Sequence, residues 1–427
     1  MFGRDGGKML LSIDVIFKIV LLFFVLVTIH EWGHYYFAKR AGILVREFAI
    51  GFGPKLFSFI RGETRYTLRL LPIGGFVRMA GEDPEIIEIQ PGQTIAVGLK
   101  QNRVDRIYLD QLDQRTDVIQ GSVESIDLER DLKVKLDIGG ETVVYPVDPK
   151  AFMIARGKET QIAPLDRQFG SKTVGQRMMT IFAGPLMNFI LAFILFIGVM
   201  FLAGMPVNVK IDRVEPDSPA QIAGLMAGDI VTEVDGKPIK EDPTALINLI
   251  HESPNKQMNW TVVRGGQQQI IKVTPQIKDG VPLVGVRLTS DKRTATFGEA
   301  LQGGWTNMIE ATKQIMTGFK MLVMGQFTLD DLGGPVRIVE VTGEHASAGL
   351  TQYTFWFAIM SLYLGIFNLL PFPALDGSRL VFLALEAVRG RPVDPNRESM
   401  VHFIGFAMLM LLVIAVTYND ILRLIKG

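Results

Sequence analysis

The sequence has 427 residues, of which 48% are hydrophobic and 21% charged, with a mean hydropathy of +0.26. The 44 Lys and Arg residues balance 44 Asp and Glu residues, and there is no Cys. This composition excludes a disordered chain and argues against an ordinary soluble enzyme, and it excludes disulfides, thiolate metal sites and a Cys nucleophile. Zero net charge gives no global reason to expect a nucleic-acid partner. Any metal must be held by carboxylates or by the five His residues.

Four apolar stretches predict transmembrane helices, because each approaches or exceeds the roughly 20 residues that cross a bilayer as a helix. A set of long core helices in a soluble protein is disfavoured, since four such stretches in one chain are rare outside membranes. The first stretch is followed by HEWGH and not by a small-residue cleavage site, so we expect a retained helix and not a signal peptide. The predicted spans are residues 13–37, 178–206, 350–378 and 399–420.

Two inserts separate these spans. Residues 41–85 contain β-rich runs interrupted by glycines directly after a helix that ends at the membrane, which predicts a membrane-associated β region. Residues 86–172 predict a soluble, β-rich insert. Residues 207–290 resemble a PDZ domain, because the run SPAQIAGLMAGD, an Asp-Gly hairpin turn and a helical pattern for the peptide groove follow one another in order. Residues 297–345 predict a helical linker that includes an amphipathic helix on the membrane surface.

Loop charges predict the orientation of the spans. Lys and Arg cluster between spans one and two and between spans three and four, whereas 343–354 has none. By the positive-inside rule, these two Lys- and Arg-rich loops are cytoplasmic. The PDZ segment and both termini then lie outside. Basic residues near the two termini argue mildly for the opposite orientation: Arg4, Lys8, Arg423 and Lys426.

The first span ends in His30-Glu31-Trp32-Gly33-His34, an HExxH motif. On a helix, residues four apart share one face, so both imidazoles can bind one Zn²⁺. Glu31 can then accept a proton from the water that the metal activates. The alternative, a polar helix end at the membrane interface, is disfavoured because ionisable groups within an apolar span are costly and usually functional.

A catalytic zinc needs a third protein ligand and an open position. The metzincin spacing places Arg40 where a third His would stand, and the β-rich stretch offers no helix for a Glu ligand. Asp376 is the better candidate, because Pro371 and Pro373 break the third span just before it. Taken alone, Asp376 is equally consistent with an ordinary aspartate at a helix end.

The motifs together resemble the site-2 protease family of intramembrane zinc metalloproteases. The bacterial regulator-of-sigma-E protease branch, in its form with a single PDZ domain, is the most similar. The resemblance rests on HExxH, GFGPKLF, RLLPIGGFVRMAGE, FAGPLMN, LGGPV and NLLPFPALDG, which follow the family's order over nearly the whole chain, with residues 86–166 least covered. It implies a polytopic α-helical protein of the bacterial plasma membrane, with four transmembrane helices, a membrane-associated β-hairpin and an inserted PDZ domain.

The resemblance also implies an activity. The chain would be a zinc metalloendopeptidase that cleaves transmembrane segments of single-span membrane proteins in regulated intramembrane proteolysis. Substrates would be anti-sigma factors and remnant signal peptides, the active site would lie toward the cytoplasm, and the expected partners include membrane lipid but no nucleic acid. The PDZ domain could exclude bulky outer domains, bind a newly exposed peptide C-terminus, or bind nothing.

Individual residues receive roles from the same resemblance. His30, His34 and Asp376 would bind zinc, and Glu31 would be the general base. Asn368 would bind substrate backbone or polarise the scissile carbonyl, and Asn188 is either a site residue or a helix-packing amide. Four glycines would belong to a hairpin whose edge strand pairs with unwound substrate: Gly51, Gly53, Gly74 and Gly75.

Two other function classes compete with a protease. A non-catalytic membrane adaptor would have no need of both HExxH and LDG. A channel or transporter is disfavoured because few charges line the spans away from the predicted metal site. The remaining histidines suggest no second site, and His402 is expected to be a packing or interfacial residue.

Overall fold

The computed structural model describes residues 12–82, 89–115, 117–239, 243–278, 280–326 and 333–426. The predicted boundary at 85/86 lies outside these residues. Their α-helices are α1 (Ile13–Arg40), α2 (Val174–Ala203), α3 (Pro219–Ile222), α4 (Pro243–His251), α5 (Phe297–Val323), α6 (Pro335–Ser347), α7 (Leu350–Asn368), α8 (Asp376–Arg389) and α9 (Pro395–Lys426). Their strands in the first half of the chain are β1 (Val45–Arg61), β2 (Thr64–Met79), β3 (Thr94–Lys100), β4 (Arg103–Tyr108), β5 (Ile119–Asp127), β6 (Lys133–Ile138), β7 (Glu141–Ala155) and β8 (Lys158–Gln161). The later strands are β9 (Met205–Val214), β10 (Ile230–Val234), β11 (Lys237–Pro238), β12 (Met258–Arg264), β13 (Gln267–Val273), β14 (Gln276–Lys278), β15 (Val281–Leu283) and β16 (Val286–Arg293).

Four of the described helices are long and apolar enough to cross a membrane: Ile13–Arg40, Val174–Ala203, Leu350–Asn368 and Arg397–Ile425. The predicted polytopic helical fold is therefore confirmed. The structure divides the predicted span 350–378, because α7 ends at Asn368 and α8 begins only at Asp376. Pro371 and Pro373 lie in the turn between them, where a proline cannot continue the helical hydrogen bonding.

The chain divides into two compact units, Met1–Ala192 with Ala311–Gly427 and Phe193–Glu310. In the first unit, β1 and β2 are both bent and form a small sheet. The segment 45–50 pairs with 75–79 on one side and with 65–68 on the other, and 57–61 pairs with 65–68 as well. The second half of β1 is exposed and rich in large apolar side chains, as expected for a β surface in contact with lipid or substrate.

The segment predicted to be a β-rich insert contains a small closed barrel. Its strands follow the order β4-β3-β5-β6-β7-β8, and β4 also pairs in parallel with β7, which closes five of them into a ring. Buried aliphatic side chains from every strand of the ring fill its interior, including Ile95, Val104, Val123, Leu136 and Val147. The barrel therefore has a hydrophobic core of its own.

The second unit contains a five-stranded sheet in the order β13-β12-β10-β9-β16, with β11 paired to β10. Helix α4 packs beside the edge strand β16, which is the strand-and-helix groove expected of a PDZ domain. The predicted Ala-Gly-Asp turn is fixed by Asp229, which is fully buried and accepts hydrogen bonds from Arg264 Nε at 2.6 Å and Nη2 at 2.7 Å. Burial raises the pKa of Asp229, but these hydrogen bonds outweigh it and hold the pKa below its usual range.

Candidate metal centre and active site

Three electron-rich side-chain atoms meet in the first unit. His30 Nε2 and His34 Nε2 lie 3.3 Å apart on adjacent turns of α1. Asp376 Oδ2, from the first residue of α8, lies 3.2 Å from His30 Nε2 and 3.4 Å from His34 Nε2. Zinc ligands at about 2.0–2.1 Å in a tetrahedron are roughly 3.3 Å apart, so the triangle has the dimensions of one face of a zinc site.

The hydrogen bond of His34 also fits a zinc site. Its Nδ1 lies 2.9 Å from the Thr180 carbonyl oxygen, which can only accept, so Nδ1 carries a hydrogen and, in the neutral ring that binds a metal, Nε2 presents a lone pair to the triangle. Asp376 Oδ2 is buried and has no hydrogen-bond partner in the described part of the chain. Such a group of buried acceptors is unfavourable without a cation between them. The donor set therefore fits Zn²⁺ with one coordination position open to water or substrate.

The chain brings Asp376 to the His pair through a tight turn. After α7 ends, the Phe372 N–H donates to Leu370 O at 2.7 Å. A Cβ at Gly377 would lie 2.3 Å from that same Leu370 carbonyl oxygen, so only glycine fits directly after the aspartate. The Asp-Gly pair thus combines a ligand with the close approach that positions it.

Helix α2 packs against the histidines with almost no intervening side chain. A Cβ at Gly33 would lie 2.3 Å from the Ala183 carbonyl oxygen, and a Cβ at Gly184 would lie 2.3 Å from His34 Nε2. Asn188, fully buried one turn further along α2, has its amide nitrogen 3.3 Å from His30 Nδ1. The structure therefore places Asn188 beside the candidate metal centre.

A cavity of about 480 Å³ opens next to the three candidate ligands. Glu31, Asn368 and the strand segment 75–79 line it together with the ligands. Gly75 lets the strand approach, since a Cβ there would lie 2.8 Å from both Glu31 Cγ and the Ala49 carbonyl oxygen. One Asn368 amide hydrogen donates to Leu364 O at 3.0 Å, which leaves its second N–H for a ligand.

The other three predicted glycines do not line this cavity. Gly51, Gly53 and Gly74 have φ angles of +90°, +84° and +81°, a backbone region that favours glycine, and open space surrounds the Cβ position of Gly53. The structure thus brings Gly75 to the candidate metal centre and gives Gly51, Gly53 and Gly74 a conformational role in the hairpin.

Sequence reasoning missed several residues around the site. Glu82 and Arg379 line the cavity and form an ion pair with each other. Thr180 and Gly184 orient His34. The small residues of the FAGP motif are typical of close contacts between membrane helices and could have indicated that α2 packs closely here. His402 was expected to be a packing or interfacial residue, and the structure adds that its Nδ1 accepts the Ala374 N–H at 3.1 Å.

A family model, Peptidase family M50, matches residues 18–412. The chain belongs to this family. Zinc metalloprotease RasP of Geobacillus kaustophilus is 46% identical over 96% of this chain and 98% of its own length. Regulator of sigma-W protease RasP of Bacillus subtilis and Probable protease eep of Enterococcus faecalis are each 42% identical over 96% of this chain and 99% of their own length.

The family and its relatives confirm the predicted activity: this M50 chain is an intramembrane zinc metalloprotease. A solved PDZ domain of an SdrC-like protein from Listeria monocytogenes is 26% identical over 19% of this chain and 87% of its own length, with a TM-score of 0.18. The metal-centre geometry and the M50 family thus agree on the kind of enzyme.

Proposed function

We propose that the chain hydrolyses peptide bonds within the membrane segments of single-span proteins, with zinc bound by His30, His34 and Asp376. The observation that carries this proposal is the triangle of three lone-pair atoms, 3.2–3.4 Å apart, beside a cavity at the end of an apolar helix. When bound there, zinc supplies a Lewis acid that polarises a carbonyl and lowers the pKa of water.

Glu31 is the general base of this proposal. Glu31 is the residue after His30 on α1, and it lines the same cavity as the candidate ligands. Glu31 takes one proton from the attacking water and passes it to the nitrogen of the leaving amine as the peptide C–N bond breaks. The remaining N–H of Asn368 is available to hold the substrate backbone while this occurs.

The edge of segment 75–79 is the substrate-binding element. This segment pairs with 45–50 on one side, and its residues line the cavity. A transmembrane helix hides its carbonyls in internal hydrogen bonds, so substrate must unwind before attack. Addition of the unwound segment to this edge would satisfy its backbone and place a peptide bond beside the metal.

Asn188 is proposed to hold His30 in the form that binds zinc. A metal-bound His30 must carry its hydrogen on Nδ1, and that N–H requires an acceptor. The Asn188 side-chain oxygen is buried and has no partner in the described residues, while its amide lies 3.3 Å from Nδ1. A half-turn of the amide brings that oxygen to the His30 N–H.

The substrates and the orientation are proposed from the relatives and the loop charges. The printed name of the Bacillus subtilis relative, regulator of sigma-W protease, supports anti-sigma factors as substrates, and remnant signal peptides are a second class. The active site faces the cytoplasm, and the PDZ domain lies outside. The edge strand β16 beside α4 supports binding of an extended peptide C-terminus there, in preference to a size filter alone.

Cleavage by the Glu31→Gln variant tests the mechanism. The experiment compares wild type with Glu31→Gln and with the control Glu252→Gln, which changes an exposed PDZ glutamate. Each protein is reconstituted with one zinc and given a single-span substrate. We expect the control to match wild type and Glu31→Gln to be at least 100-fold slower with unchanged zinc content. Equal cleavage by all three would exclude Glu31 as the base.

A further inference from the structure

The turn that carries Asp376 contains a backbone conformation that L-residues rarely adopt. Ala374 lies two residues before Asp376 and lines the same cavity, and its φ is +78°. A side chain with a Cβ resists this region, so surrounding contacts must hold the residue there. The position of the Asp376 carboxylate depends on the turn, because α8 begins directly after it.

Helix α9 supplies those contacts. His402 Nδ1 accepts a hydrogen bond from the Ala374 N–H at 3.1 Å. Three residues along the helix, Gly405 lies so close to Pro373 that a Cβ would approach the proline ring to 2.1 Å. The ring of His402 also contacts Phe382 of α8 edge-on, with centroids 5.9 Å apart. The segment 402–405 of α9 therefore contacts both the turn before Asp376 and helix α8, which begins at Asp376.

The hydrogen bond defines the tautomer of His402. Because Nδ1 accepts from a backbone amide, it carries no hydrogen, and the neutral ring holds its hydrogen on Nε2. Nε2 is buried and faces Glu398 of its own helix at 3.7 Å, beyond hydrogen-bond range. The polar contact of this imidazole with the Asp376 turn is thus made through the δ nitrogen.

We propose that His402 is a positioning residue for the metal centre: its Nδ1 fixes the Ala374 N–H and so holds the Asp376 carboxylate in register with His30 and His34. The proposal rests on the assignment of Asp376 as a zinc ligand. It gives the fourth span a part in catalysis that neither HExxH nor LDG predicts. A partner that holds a ligand in place typically changes metal affinity by about 10–100-fold.

Asn and Gln replacements of His402 separate the hydrogen bond from packing. The Oδ1 of Asn stands at the same branch point as Nδ1 and can accept the Ala374 N–H, whereas the amide of Gln lies one bond further out. The zinc dissociation constants of purified full-length variants are measured by chelator competition in detergent. We expect about tenfold weaker binding for His402→Ala and His402→Gln, and rescue to within threefold of wild type by His402→Asn.

Unchanged zinc affinity in all three variants would overturn the proposal. Equal weakening by Asn, Gln and Ala would overturn it too, because the lost ring and not the acceptor would then be responsible. Thermal unfolding of the metal-free proteins measures packing separately, and we expect Asn and Gln to shift it equally. Asp376→Ala is the control for the underlying assignment: wild-type zinc affinity in that variant would reject the ligand role of Asp376 itself.

Discussion

The imidazole of His34 is held on two sides by one turn of α2. The Thr180 carbonyl accepts its Nδ1 hydrogen at 2.9 Å, and the missing side chain of Gly184 leaves room for Nε2. Pro185 follows within α2 and has no N–H to donate to the preceding turn. The FAGP segment thus packs against a candidate metal ligand, although none of its own side chains is a candidate ligand.

Substitution Gly184→Ala should weaken zinc binding by at least tenfold. The new Cβ would lie 2.3 Å from His34 Nε2 and must displace the imidazole from the triangle. Chelator competition measures the effect. Gly198→Ala is the matched control on the same helix, since nothing lies within 4 Å of its Cβ position, and it should bind zinc like wild type. Equal affinity of the two variants would show that α2 does not constrain His34.

The residues that could be predicted from sequence are those whose chemistry restricts the residue type. Two His and a Glu at HExxH spacing predict a metal site from local pattern alone, and that site then makes the Asp after the proline break the candidate third ligand. Thr180 contributes only a backbone carbonyl and Gly184 only an absent side chain. Such roles arise from helix packing: the small residues of FAGP indicate a close contact between helices, but not which side chain that contact orients.

At the scale of elements, the turn between β1 and β2 is tied to the segment after the barrel. Glu63 accepts hydrogen bonds from both terminal nitrogens of Arg167, at 2.8 and 2.7 Å, and from Gln161 Nε2 at 3.0 Å. The hydrogen bonds from Arg167 lower the pKa of Glu63 to about 2. These hydrogen bonds therefore hold the turn of the β1–β2 hairpin, whose segment 75–79 lines the cavity, to Gln161 and Arg167.

This ion pair predicts a pH dependence of stability. A carboxylate with a lowered folded pKa stabilises the fold above its unfolded pKa, about 4.5, and the contribution is lost as pH falls toward the folded pKa of about 2. Glu63→Gln should therefore lower the melting temperature at pH 7, with the difference from wild type shrinking between pH 4.5 and 2. The exposed control Glu141→Gln should show no such convergence. A constant difference across that range would contradict the ion-pair explanation.

The LGGPV motif leads into helix α6, and the source of the cap of this helix could not be predicted from the motif. Gly334 precedes α6 and has no side chain to cap it, and the Arg337 N–H instead donates to Asp420 Oδ2 of α9 at 2.9 Å. A Cβ at Gly334 would lie 2.7 Å from that same oxygen. The motif thus leads into a helix whose cap is supplied by a carboxylate of α9.

At the scale of the whole molecule, the four spans could be predicted because hydropathy is a local property of sequence. The closed barrel could not be predicted, since its closure depends on parallel pairing of β4 with β7, in which Val104 stands opposite Val147. The division of the third span was only partly predicted: the prolines indicated a break, but the start of a new helix at Asp376 depends on tertiary contacts.

The absence of Cys makes the proposed topology directly testable. Single Cys residues replace Gln268 in the PDZ domain and Lys158 in β8, the strand paired with β7 of the barrel, and both positions are exposed. In intact cells, a membrane-impermeant maleimide should label Gln268→Cys, and it should label Lys158→Cys only after lysis. The cysteine-free parent controls for background. If only Lys158→Cys were labelled in intact cells, the orientation would be opposite to the proposed one.

The zinc X-ray absorption spectrum of the purified protein tests the central claim most directly. His30, His34 and Asp376 predict one zinc per chain with two imidazoles and oxygen ligands at about 2.0–2.1 Å. Asp376→Ala should lose most of this zinc. A spectrum with three or more imidazoles, or active protein without zinc, would contradict the assignment.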